Sequence, residues 1–265
     1  MSTVVVTVRE ISLVAQTLAL SARAIRNTLR QPQQWVPSFL FPLLLLAVNT
    51  SALGKVIRQQ GVDSYLNFAL ATVIVQGILF AASNSGGDLA IDIQDGFFDR
   101  LVASPIARPA ILLGRLSASL VLGVFQAAVI MIVLALFGAR VAGGAPAIAV
   151  IALAAGLLAV GIGSISCAVA VRSGSSETVQ AMTPLFTMFI FFSSAYFPKD
   201  NMVGWFRGIV SANPIDWTIS AMRDLILDGF DTTSALKATV IPILVAVLGV
   251  TLATLAMSRR LRDIS

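Results

Sequence analysis

The chain has 265 residues, 57% of them hydrophobic and only 12% charged, and its mean hydropathy is +0.90. A water-soluble domain carries roughly twice that charged fraction, so a soluble globular fold is excluded and lipid is the solvent for most of the chain. The net charge is +5 and there is no histidine, which removes histidine zinc sites, histidine general bases and Ser-His-Asp triads.

Cys167 is the only cysteine, so no intrachain disulfide is available. The basic residues gather at predicted helix ends and in the N-terminal arm. Positive-inside orientation and anionic headgroups account for them, and no Lys/Arg block is dense enough to indicate nucleic acid. The opening MSTVVVTVREISLVAQ has no basic segment before its apolar run, so it is expected to be retained and not cleaved as a signal peptide.

In chain order, residues 1–33 read as a cytoplasmic arm. Within it, 9–31 forms an amphipathic helix in which Arg9, Arg23, Arg26 and Arg30 interrupt Ile11, Val14, Leu18, Ile25 and Leu29. Such a helix lies in the membrane surface with its arginines among phosphates. Residues 34–257 read as an all-α, polytopic domain of six transmembrane helices, each able to cross a hydrocarbon core of about 30 Å.

The spans fall at 34–53, 65–87, 109–137, 146–171, 180–197 and 238–257. Pro37 and Pro42 predict a bend in the first. Ala152, Ala155, Gly156, Ala159 and Gly163 give the fourth a small-residue surface for close helix approach. Residues 258–265 are a tail. Arginine favours the side holding the arm, Arg100, Arg108, Arg172 and the tail, so both termini are expected to be cytoplasmic.

Two segments stand out. In the loop 88–105, Asp88, Asp92, Asp95 and Asp99 are spaced four, three and four apart, which places them on one face of a helix. Phe97, Phe98 and Leu101 supply apolar knobs, and Pro105 ends the element. A docking helix for a soluble partner and an acidic cap that keeps a loop in water both fit this composition. The second segment is Phe191-Phe-Ser-Ser-Ala-Tyr-Phe-Pro198, followed by Asn213-Pro214 and Arg223 and flanked by Trp205 and Trp217. A headgroup-level aromatic belt with an outer loop would also have this pattern.

Asp95-Gly96, Asp99-Arg100-Leu101 and Pro105 resemble the cytoplasmic motif of type-2 ABC transporter permeases, with Asp99 where Glu is common. Ala195-Tyr-Phe-Pro198, Asn213-Pro214 and Arg223 resemble that family's C-terminal signature. The two motifs in order, between the expected spans, extend the resemblance over essentially the whole chain. Within the family it is most similar to exporters of the daunorubicin-resistance type.

The resemblance implies two six-helix permeases, either a homodimer or a pair with a sister permease, working with cytoplasmic ATP-binding subunits in a bacterial inner membrane. ATP and Mg would sit on that partner, because this chain has no P-loop: its only Gly-Lys pair is Gly54-Lys55, followed by Val56. The chain itself is then not an enzyme and binds no cofactor or metal.

Residues expected to couple to the ATP-binding subunit are Arg23, Arg26 and Arg30 with Asp92, Asp95, Gly96, Phe98, Asp99, Arg100 and Leu101. A substrate path for a hydrophobic or amphipathic drug or lipid is expected along Gln76, Asn84, Thr183, Phe186, Thr187 and Phe189, closed on the outside by Phe191, Phe192 and Tyr196.

Rival readings are an ion-gradient carrier, a membrane enzyme and a non-transporting anchor. A carrier tends to place ionisable groups at mid-membrane depth, whereas here the span centres have none and Arg115 stands near the start of the third. An enzyme lacks a seat for metal or acid–base chemistry. The anchor differs from the permease only in moving nothing.

Overall fold

The computed structural model describes residues 12–58, 64–104 and 106–264. Arg9, Ile11 and Pro105, named above, lie outside them. Every regular element among the described residues is helical: α1 (Leu13–Leu29), α2 (Pro32–Arg58), α3 (Tyr65–Gln94), α4 (Phe97–Ala103), α5 (Arg108–Leu136), α6 (Gly144–Ser173), α7 (Ser176–Gln180), α8 (Thr183–Phe191), α9 (Gly204–Ala212), α10 (Pro214–Leu227) and α11 (Thr232–Ile264), with a 3-10 turn at Lys199–Asn201.

Helix α1 is capped by Ser12, whose hydroxyl accepts from the Ala15 N–H. One side of it is pinned to α5. Ser21 Oγ donates to Gly114 O at 2.9 Å, and a Cβ on Gly114 would lie 2.6 Å from that of Leu20. Leu13, Val14 and Leu18, in its first two turns, are exposed, as an interfacial helix requires.

Five helices among the described residues are long and apolar enough to cross a membrane: α2, α3, α5, α6 and α11. They correspond to predicted spans one to four and six. Helix α2 continues through Pro37 and Pro42. Helix α11 runs past residue 257, so the predicted tail extends it. Asp231 accepts from the Ser234 N–H at the start of α11, which holds its carboxyl below the usual range.

The predicted fifth span, 180–197, is not one helix. It breaks after α7, and α8 has nine residues, covering only about 13 Å of a core of about 30 Å. Pro184 at the start of α8 has no N–H to continue the ladder from α7. At its other end, Asn213 Nδ2 donates to Phe189 O and Phe192 O, both at 2.7 Å, so the chain can stop inside the bundle with its last carbonyls paired.

Helix α3 is the most deeply buried of the long helices and packs against α2, α5, α6, α7, α8 and α10. The tightest approach is between α6 and α11, where a Cβ on Gly249 would stand 2.3 Å from Gly161 O. On the other side of α6, Gly156 and Ala159 meet Gly123 of α5. The small-residue surface of α6 therefore serves two neighbours, as small residues do where backbones must touch.

The α8–α10 segment is anchored on α3 by Arg223. Its Nε donates to Phe68 O at 3.0 Å, its Nη1 to Ser194 Oγ at 3.2 Å, and its Nη2 to Ser194 O at 2.9 Å and Thr72 Oγ1 at 3.4 Å. The guanidinium lies 3.7 Å over the Phe68 ring. Asp216 completes the anchor by accepting from the Ser194 N–H and pairing with Lys199.

Three variants test this packing. Gly249→Val must force α11 off α6 and should lower stability by about 2–3 kcal/mol, read as the unfolding midpoint in detergent. Gly204→Ala, with no atom near its added Cβ, should leave that midpoint in place. Arg223→Lys keeps the charge but cannot reproduce the planar fork, and should cost about 2–4 kcal/mol; proteolysis over residues 192–203 should quicken with it.

Candidate functional site

The ends of α3, α6 and α11 share one face with α1 and α4. Arg23 of α1 reaches Asp92 of α3 at 3.0 Å, and Arg260 of α11 donates to Val171 O at the end of α6 at 3.0 Å. At this face α3 ends at Gln94, and Gly96 takes φ 66°, a left-handed turn suited to glycine. The chain leaves the α3 axis there and re-forms as α4.

This break divides the four aspartates that spacing alone puts on one face. Asp88 and Asp92 stay on α3 and turn inward, whereas Asp95, which caps α3, and Asp99, beyond the turn, are exposed. Asp92 lies between Arg23 and Arg115, with side-chain exposures of 14%, 42% and 11% for the three in that order. Arg23 also lies 4.0 Å over the Phe97 ring. Arg23 and Asp92 thus hold α1, α3 and α5 to one another. Arg26 and Arg30, a turn and two turns along α1, are exposed.

Phe98, expected as an exposed knob, is 1% exposed. It packs among Leu89, Ile93, Ile111 and Val179, with the Arg260 guanidinium 5.7 Å from its ring. A seven-residue helix can bury only one side, and the larger apolar surface takes it. Leu101 is half-buried beside it. Arg100 is exposed and folds back on the turn, donating to Gly96 O and Asp95 O at 3.3 Å each. The surface that the Gly96 turn and α4 offer outward is therefore Asp95, Asp99 and Arg100, with Phe97 at its edge.

The residues expected along a substrate path separate. Gln76 is buried and donates to Tyr196 Oη at 3.4 Å. Thr183 shares a 2.6 Å hydrogen bond with Ser83, and Thr187 donates to Thr183 O. Phe186 is buried and Phe189 exposed. Of the six, Asn84 alone lines the main cavity of the bundle, bounded by α1, α2, α3, α5 and α6, whose empty space is about 800 Å³ when the part open to the outside is counted. At the expected outer gate, Phe191 is exposed and stacks obliquely on Tyr196, and Phe192 meets Phe206.

Sequence reasoning passed over Asp88, Arg115, Trp35 and Arg260 as site residues. Helical register could have put Arg115 and Asp92 at one depth, but only tertiary structure pairs them. Arg260 meets Phe98 across more than half the chain, and no local pattern signals that contact.

The family model for the ABC-2 type transporter matches residues 15–227. The chain is 29% identical to the daunorubicin resistance ABC transporter permease protein DrrB1 of Streptomyces coeruleorubidus over 214 residues, covering 80% of this chain and 75% of that one. It is 25% identical over 221 residues to a Mycobacterium tuberculosis protein named "Probable doxorubicin resistance ABC transporter permease protein DrrC", covering 82% of this chain and 78% of the other. With its two motifs in order and a family match that runs from α1 to the end of α10, this multi-pass membrane protein belongs to the ABC-2 type transporter family.

Proposed function

We propose that the chain is the permease subunit of an ATP-driven exporter that moves a hydrophobic or amphipathic cargo, such as a drug or lipid. The observation that carries this reading is the family match over residues 15–227, and the names of the drug-resistance permeases it resembles support the cargo class. In this reading ATP and Mg bind a separate cytoplasmic subunit. Both chain ends face the cytoplasm of a bacterial cell, and two permease copies, identical or sister, make the translocating unit.

The coupling surface would be the exposed side of α4, Asp95, Asp99 and Arg100, with Arg26 and Arg30 of α1 beside it. Behind that surface, Asp92 with Arg23 and Arg115 would transmit movement to α1, α3 and α5. Phe98 would pass load from α4 into the packing between α3 and α5. ATP-driven closure of the partner subunits would then shift these helices as bodies. Gln76, Thr183, Phe186, Thr187 and Phe189 keep their assignment near the path between copies, with Phe191, Phe192 and Tyr196 at its outer end. A non-transporting anchor would dock the same way but would hydrolyse ATP without moving anything.

Purification of the chain in mild detergent from its native membrane should recover a P-loop ATPase subunit in stoichiometric amount. Asp95→Lys with Asp99→Lys should lower that recovery about tenfold, as reversal of paired interface charges does, without shifting the unfolding midpoint of the permease alone. Unchanged recovery would remove α4 from the dock. Phe98→Ala should behave differently and lower the midpoint itself, costing about 3–5 kcal/mol as loss of a buried phenylalanine does.

A further inference from the structure

This cavity is charged at one end and carries no charge at the other, and the gradient runs along two helices. On α3, Asp88, Ser85 and Asn84 stand near the charged face, and Ile78 lies ten positions away, roughly 15 Å deeper. On α5, Arg115 and Ser119 give way to Leu122 and Phe125. Ala24 and Thr28 of α1 close the polar end. At the other end Gln126 Nε2 donates to Ser38 O at 3.2 Å and bridges α5 to α2. Between these closures α2 rests chiefly on α3. Phe125 lines the cavity yet is 47% exposed, so the cavity opens sideways beside Phe125.

The polar end is incompletely satisfied. Trp35 Nε1 is buried without a hydrogen-bond partner among the described residues, and so is the neighbouring Gln34 Oε1. The Asp88 carboxylate accepts one long hydrogen bond, 3.4 Å, from Gln34 Nε2 and forms no ion pair among the described residues. Buried polar groups are seldom left this way without a ligand or water. The local charges cancel: Arg23 and Arg115 balance Asp88 and Asp92. A net-neutral pocket lined by a carboxylate, an indole N–H and a guanidinium complements a zwitterion better than a simple cation or anion.

We infer that this cavity binds a phospholipid with a primary-amine headgroup from the leaflet beside α1 and α4. The ammonium would meet Asp88, and the phosphate would lie toward Trp35 Nε1 and Arg115. One acyl chain would run along Ile78, Leu122 and Phe125, and the rest of the tails would leave through the side opening. The inference rests on the membrane-permease reading only for the placement of the chain in a bilayer. The bound molecule is either the cargo or a resident lipid, and the chemistry of recognition is the same for both.

The test is native mass spectrometry of the full chain in mild detergent with defined phosphatidylethanolamine, phosphatidylcholine and phosphatidylglycerol. Phosphatidylethanolamine should be retained about tenfold better than either competitor, equivalent to roughly 1.4 kcal/mol. Asp88→Asn, equal in size but uncharged, should erase the preference over phosphatidylcholine. Trp35→Phe, which deletes only the N–H-bearing ring, should weaken retention several-fold. Leu122→Trp, which fills the tail channel, should lower retention of all three and so gives an answer even where an acidic variant folds poorly.

Equal retention of the three lipids by the wild type, an undiminished preference in Asp88→Asn, or dodecylamine binding as tightly as phosphatidylethanolamine would overturn the inference. With the ATP-binding subunit in vesicles, ATP-driven loss of labelled phosphatidylethanolamine from one leaflet marks it as cargo, and constant stoichiometry through turnover marks it as resident. The binding assay needs neither ATP nor partner. A failed lipid preference therefore leaves the permease reading intact, and failure to capture an ATPase leaves the lipid site intact.

Discussion

In hydrocarbon a backbone carbonyl or N–H without a partner costs several kcal/mol, and the fold of this chain is organised around that constraint. Five long helices meet it alone, through their own ladders. The α8–α10 segment cannot, because it stops and turns within the bundle. It exists only because Asn213 supplies donors to the end of α8 and Arg223 supplies a fork to Ser194 and to Phe68 of α3. The most buried helix thus serves as the frame on which the broken one is hung, and the Asn-Pro and Arg of the C-terminal signature are the fastening.

The opposite face solves a different problem, that of charge close to lipid. Asp92 is flanked by two arginines from separate helices, so no member of the trio stands alone. A triad of this kind adds little net stability over apolar packing, yet removing one member strands the others. Its value is in fixing how α1 and α5 sit on α3. The turn at Asp95-Gly96 then separates this inward-facing set from the outward-facing Asp99 and Arg100, with Asp95 exposed in the turn itself, so one short stretch of sequence holds both the scaffold of the face and its exposed surface.

The helical class, the five long helices and the amphipathic arm were legible because apolar runs of 20 or more residues have one solution in lipid. The family was legible from spaced residues at Asp95-Gly96, Asp99-Arg100-Leu101 and Asn213-Pro214. What misled was periodicity carried across a break. Asp88 to Asp99 obey helical spacing on paper, but glycine at position 96 interrupts the register. The apolar run 180–197 looks like a span by composition, but Pro184 and the buried turn at Ser193 and Ser194 divide it. Phe98 looked exposed because its neighbours are charged, although burial depends on α5, α7 and α11, which no local window contains.

Arg260 carries a consequence for biosynthesis. It bridges the last turn of α6 to the ring of Phe98, and it follows both far along the sequence. A ribosome releases α4 long before it makes the residue that completes the packing of that helix. During translation the packing around α4 is therefore unfinished until α11 has been made.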